Sequence, residues 1–199
     1  AERDAYRELV RARGNGAPVA HLTGEREFWS LSFRITPDVL IPRPDTEVLV
    51  EQALARMVAD SGRAADLGTG SGCIAAALAH ERPGWTVDAS EADPAAAAVA
   101  RDNLERLGLA ERVSVHEGEW LAPLAHTRYD VIVSNPPYVR ADDPHLVAGD
   151  VAAEPRAALV AEEQGLAAHR AILAQAPEHL TPGGWLLLEI GFDQGEAVA

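Results

Sequence analysis

The amino-acid sequence predicts an α/β fold in which a mostly parallel sheet carries helices on both faces, preceded by a small β-hairpin. Short apolar runs alternate with helical segments from residue 64 to the end, which calls for right-handed crossovers. Glycines cluster at 68, 70 and 72, where the first run turns into a helix. The string Asn135-Pro136-Pro137-Tyr138 follows another run, Tyr129 to Val133.

Residues 2 to 13 read as the end of a helix, broken by Gly14, Asn15, Gly16 and Pro18. Trp29, Leu31, Phe33 and Ile35 alternate with Ser30, Ser32 and Arg34, so Phe28 to Ile35 is predicted as one half-buried strand. A turn at Thr36-Pro37-Asp38 should return it along Val39 to Ile41 as a hairpin. Thr46 to Ala59 has Leu49, Ala53 and Met57 on one helical face. The alternation that follows predicts strands at 64–67, 86–90, 113–116, 129–133 and 185–190 and helices at 74–80, 94–107 and 164–180. A long polar connection precedes the last helix.

With 199 residues the chain has room for one main domain with a full core. Its apolar share of 47% and charged share of 24% are those of an ordinary globular protein. The one cysteine, Cys73, rules out an internal disulfide, and no apolar run approaches the roughly 20 residues that span a bilayer. With no signal-peptide pattern at the start, a cytoplasmic setting is expected. The seven histidines lack paired spacing, and no metal is expected. A net charge of −14 opposes a phosphate backbone, and direct binding of nucleic acid is not expected.

Asn135-Pro136-Pro137-Tyr138 carries the most chemistry. The nitrogen of a primary amide or exocyclic amine is a poor nucleophile because its lone pair is delocalised. Two acceptors that grip both N–H bonds can redirect that lone pair. The Asn135 side-chain oxygen supplies one, and the Pro136 carbonyl, held in direction by two prolines, the other. Tyr138 offers an aromatic face to a flat group and to a nearby sulfonium charge. Taken alone, the tetrapeptide is as readily a stiff turn.

Asp66-Leu67-Gly68-Thr69-Gly70-Ser71-Gly72 reads D-x-G-x-G-x-G. It lacks the last glycine of a dinucleotide fingerprint and the lysine of a P-loop, so it suits a ligand with an adenosine and an amino acid rather than phosphates. Glu91 lies 91 − 72 = 19 residues past Gly72, near the offset of an acid that binds ribose hydroxyls. It could also be a solvent-facing residue before the Asp93-Pro94 helix start. Glu119 and Trp120 follow the third strand, where an acid can accept from an adenine amino group and an indole can pack on the purine. A tryptophan there is as often core.

Together these residues resemble the class I S-adenosylmethionine-dependent methyltransferases, which have a Rossmann-like fold. They resemble more closely the protein glutamine-N5 methyltransferases of peptide-chain release factors, the HemK/PrmC family. The match rests on Leu22-Thr23-Gly24-Glu25 with Phe28, Leu40-Ile41-Pro42-Arg43-Pro44-Asp45-Thr46-Glu47, Asp66 to Gly72, Ser134 to Tyr138, and Gly149-Asp150-Val151 with Glu154-Pro155. The family usually has glutamate at the place of Asp45, and aspartate at those of Glu91 and Glu119. The resemblance implies residues 1–20 as the tail of an N-terminal helical docking domain, 21–44 as linker and hairpin, and 45–199 as the methyltransferase domain without its last strands. The chain is thus expected to be truncated at both ends.

By the same resemblance Asp66, Gly68, Thr69, Gly70, Gly72, Glu91, Glu119, Trp120 and Asn135 hold S-adenosylmethionine, which leaves as S-adenosylhomocysteine. Asn135, Pro136, Pro137 and Tyr138 bind the substrate amide, with Asn135, Pro136 and Tyr138 catalytic. The partner implied is a release factor, methylated on the glutamine of its Gly-Gly-Gln motif. Arg43 and Glu154 stand either near the site or in a fold-stabilising ion pair. An N6-adenine or N2-guanine methyltransferase is the main alternative, since a base amine presents the same flat NH2 group. A non-catalytic binding module is another.

Overall fold

The computed structural model describes residues 2–199. Ala1, the first residue of the expected helical tail, lies outside them. Helix α1 (Glu2–Gly14) buries none of its side chains, and α2 (Val19–Thr23) ends at Gly24, whose φ of 75° lets its N–H return to the Ala20 carbonyl.

The hairpin forms one turn earlier than its alternation suggests. Strand β1 (Glu25–Phe28) pairs antiparallel with β2 (Leu31–Arg34), Phe28 opposite Leu31, around a two-residue turn at Trp29-Ser30. Both turn residues have positive φ, 53° and 59°, as a type I′ turn demands. The usual Asn-Gly signal of that turn is absent, and a two-residue turn preserves alternation on either side, so Phe28 to Ile35 reads as a single strand. Phe28 and Phe33 meet edge to face, centroids 6.5 Å apart. Residues 36–45 are not a return strand but an irregular strap, since Pro37, Pro42 and Pro44 each withhold an N–H from pairing. Val39 and Ile41 are still buried in the core.

The remaining elements follow in order: α3 (Thr46–Leu54), β3 (Gly62–Leu67), α4 (Cys73–Glu81), β4 (Trp85–Glu91), α5 (Pro94–Arg106), β5 (Val113–Glu117) and β6 (Tyr129–Ser134). Beyond β6 come three 3-10 turns, Pro144–Val147, Gly149–Ala153 and Arg156–Ala158. The short α6 (Glu162–Gly165), α7 (Ala167–His179), β7 (Leu180–Leu188) and α8 (Gly195–Val198) complete the chain. Helix α3 stops well before Ala59, although Met57 stays buried, while Val58 is exposed. Helix α7 starts after Gln164 because Glu163 and Gln164 have left-handed φ. Strand β7 begins before Trp185, with an irregularity where it meets Tyr129 to Val131 of β6.

Five parallel strands lie in the order β5-β4-β3-β6-β7. Alternating side chains feed two cores. Ala64, Val87, Ala89, Val131 and Val133 join the side of α3, α4, α5 and the hairpin. Ala65, Leu67 and Ile132 join Ile172 and Ala176 of α7 on the other side. The chain winds outward from β3 in one direction and returns beside it as β6. The strand order therefore reverses between them, and a crevice opens at their carboxyl ends. Among the described residues no helix is long and apolar enough to cross a membrane.

Candidate functional site

Strand β3 runs into the glycine loop at that crevice. Gly68, Gly70 and Gly72 all have left-handed φ, and a Cβ on Gly72 would press to 3.4 Å on the backbone of Ala100 in α5. The Gly68 and Thr69 amides both donate to the Ser90 carbonyl, at 2.9 and 3.0 Å, which stitches the loop to β4. Asn103 of α5 is a buried clasp. Its Oδ1 accepts from the Arg34 amide at 2.7 Å, while its Nδ2 donates to the carbonyls of Arg34 and Ser71, so hairpin and loop share one anchor.

Asp66 works from behind the loop. Its Oδ2 accepts from the Thr69 hydroxyl at 2.6 Å and from the Ala75 amide in the first turn of α4 at 3.1 Å. Burial pushes its carboxyl up to about 6, against the lowering of those two bonds.

A cavity of about 290 Å3 opens in front of the loop. Gly68 and Gly70 form its back, and Glu91 with Asp93 one side. Glu119 and Trp120 stand at another, the strap residues Asp38 to Leu40 and the turn residues Pro155, Ala157 and Ala158 cover it, and Asn135 and Pro137 close the end. Six of the nine expected cofactor contacts thus line one space: Gly68, Gly70, Glu91, Glu119, Trp120 and Asn135. Asp66, Thr69 and Gly72 are outside that lining and shape the loop that forms its back. Glu91 accepts from the Gly70 amide on Oε2 (2.9 Å) and from the Asp93 amide on Oε1 (3.0 Å). Each oxygen keeps a second lone pair. Trp120 has a φ of 49° and brings its indole against Gly68, where any side chain would meet the ring.

On the far side of Asn135 lies a slot of about 50 Å3 lined by Pro136, Tyr138, Val139, Arg43 and Glu189. Leu40, Asn135 and Ala158 line both spaces. Asn135 Nδ2 donates to the hydroxyl of the buried Thr46 at 3.1 Å, which turns Oδ1 away from α3. The Tyr138 hydroxyl donates to Glu189 Oε1 at 3.1 Å. Burial first, then the Glu189 charge, pushes the phenol up to about 12, so Tyr138 stays neutral. The Tyr138 carbonyl is held by Gln194 Nε2 at 3.0 Å and faces Gly165, where a Cβ would overlap it.

Arg43 and Glu154 form an ion pair. The Glu154 side chain is fully buried, meets the Arg43 guanidinium through Oε1 and accepts from the Ile41 amide through Oε2 at 3.0 Å. It fastens the strap to the 3-10 turns beside both spaces, and Arg43 in addition lines the slot. Thr46, Asn103 and Glu189 were not singled out from the sequence. Thr46 appeared there only as a helix start and within the string Leu40 to Glu47. Among the described residues no three His, Cys, Asp or Glu side chains cluster to hold a metal ion.

Residues 44–162 match the Methyltransferase small domain family. The release factor glutamine methyltransferase of Salmonella typhimurium is 53% identical over 191 residues, covering 96% of this chain and 69% of that protein. The enzyme of the same name from Pseudomonas aeruginosa is 52% identical over 195 residues, covering 98% and 70%. Among solved structures, the hMettl16 catalytic domain in complex with a 3′UTR hairpin matches with a TM-score of 0.67 at 22% identity, over 86% of this chain and 66% of that one. A methyltransferase from Pyrococcus furiosus matches with a TM-score of 0.61 at 23% identity, over 84% and 72%. These two likenesses establish the fold as that of the methyltransferases. With a five-stranded parallel sheet of that fold and half its residues identical to those relatives, the chain belongs to the release factor glutamine methyltransferase family.

Proposed function

We propose that this chain transfers a methyl group from S-adenosylmethionine to the side-chain amide nitrogen, N5, of the glutamine in the Gly-Gly-Gln motif of peptide-chain release factors. The observation that carries the reading is Asn135, which forms the shared wall of two spaces with its amide pinned by Thr46. The larger space suits the cofactor. It has glycine backbone at its back, an indole at one side and, in Glu91, a carboxylate with lone pairs to spare for two hydroxyls. When bound, S-adenosylmethionine supplies a methyl group on a positively charged sulfur and departs as S-adenosylhomocysteine.

The chain's own part is to hold and align. Asn135 Oδ1 and the Pro136 carbonyl accept the two N–H bonds of the substrate amide and so turn its lone pair toward the larger space. Tyr138, tethered to Glu189, keeps its ring against the flat group. No side chain is needed as a base before attack, because the alkylated nitrogen is acidic enough to lose its proton afterwards. The slot is walled by Asn135, Pro136 and Tyr138, which suits a flat amide, and a net charge of −14 does not favour a nucleic acid. Residues 1–20 then serve as the tail of a docking region, and work on a translation factor implies a cytoplasmic setting.

The test is incubation with a release factor and labelled cofactor, followed by mass spectrometry to find the methyl group. Methyl on the Gly-Gly-Gln glutamine is the expected result. Methyl on a nucleobase, or none on the factor, overturns the proposal.

A further inference from the structure

Glu189 is a carboxylate in the wall of a slot that should receive a neutral amide. Its backbone is clamped on both sides: the amide donates to the Ser134 carbonyl at 3.0 Å, and its carbonyl meets Nε2 of the fully buried His169 at 2.9 Å. The side chain therefore leaves from a fixed point at the end of β7. Its Oε1 takes the Tyr138 hydroxyl, while Oε2 is buried and has no hydrogen-bond partner.

A buried acceptor left unpaired costs free energy, and the cost is recovered only if a donor arrives. The charges around the slot sharpen this. Arg43 is the only cation in its lining, and the buried Glu154 already pairs with it. Glu189 therefore stands in the slot as a carboxylate without a cation of its own, and its charge is felt at Tyr138 more strongly than the opposing charge of Arg43. The Tyr138 proton is committed to Glu189, so the phenol offers the slot little as a donor. Asn135 Oδ1 and the Pro136 carbonyl are also acceptors. A group that enters must bring N–H bonds and no negative charge.

We infer that Glu189 is a specificity-determining residue, which makes the slot accept a carboxamide and reject the carboxylate of the same shape. This rests on the glutamine-amide reading above. It distinguishes glutamine from glutamate at one position of the target loop, two side chains of nearly equal volume that packing alone cannot separate. Rejection by an unpaired acceptor and a like charge can.

Glu189→Gln tests it, because the new side chain still offers an oxygen to Tyr138 but replaces Oε2 by an NH2 donor. Peptides carrying Gly-Gly-Gln and Gly-Gly-Glu are titrated calorimetrically into the full chain with S-adenosylhomocysteine present. The unaltered protein is expected to prefer the glutamine peptide by about tenfold or more. Glu189→Gln should bind the glutamate peptide more tightly than the unaltered protein does, and Glu189→Ala should fall between the two. Such a gain of affinity is something damage to the fold cannot produce. Unchanged discrimination in both variants, with methyl transfer by the unaltered protein intact, overturns this inference alone. Absence of transfer by the unaltered protein to any release factor glutamine overturns the functional reading and this inference with it.

Discussion

Thr46 and Asn135 are 89 residues apart in the chain and meet through a single hydrogen bond of 3.1 Å. If that bond sets the direction of Oδ1, Thr46→Val should lower kcat roughly three- to tenfold, the equivalent of about 0.5–1.5 kcal/mol for one net hydrogen bond. Cofactor affinity by calorimetry should hold, and Thr46→Ser should restore the rate. Asn135→Ala should go further and abolish transfer in a single-turnover assay even at saturating cofactor. Asp66 carries a pH prediction. Its carboxyl binds a proton near pH 6 in the folded chain against an ordinary 3.8, so between those values the native state holds more protons than the unfolded one. Stability from this group is full below the lower value and is lost as pH rises through the upper. Asp66→Asn should flatten the slope of the urea midpoint across that window. Asn135, Pro136 and Tyr138 were legible in the sequence because the motif is local. Thr46, Asn103 and Glu189 were not, since their contacts depend on how α3, α5 and β7 dock on the sheet. Asp66 was read with the glycine motif as a cofactor residue, and its bonds to Thr69 and Ala75 within the loop depend on how α4 packs.

Strand and helix order could be read because each buried strand is a short apolar run between helical stretches, and the doubly wound sheet follows from that rhythm. The hairpin turn could not, for Trp29 and Ser30 take a backbone conformation that side chains disfavour and that glycine or asparagine usually announces. Ser30→Gly should relieve that strain and stabilise the protein by about 1 kcal/mol in urea denaturation. The strap was likewise missed, because its buried Val39 and Ile41 imitate a strand. What holds it is the Glu154 carboxylate, fully buried, against an Arg43 that is one-third exposed. Glu154→Ala would strand that guanidinium and free the Ile41 amide. A loss of about 3 kcal/mol is expected, the low end for a broken buried pair because Arg43 keeps some contact with water, measurable in the same denaturation series.

For the molecule as a whole, a ligand bound only by the folded state raises stability by mass action. S-adenosylmethionine at a hundred times its Kd should add about 2.7 kcal/mol, which for a chain of this size moves Tm up by roughly 5–10 °C. Glu91→Ala should lose most of that shift in thermal melts. Leu40, Asn135 and Ala158 belong to both spaces at once, so neither can be filled without steadying a partition that the other leans on. Enzyme, methyl donor and acceptor loop are then thermodynamically linked, and whatever factor one guest adds to the other's grip must be returned in equal measure. Once the methyl has crossed, the slot holds a bulkier amide with one N–H fewer to offer. The same partition then favours its departure.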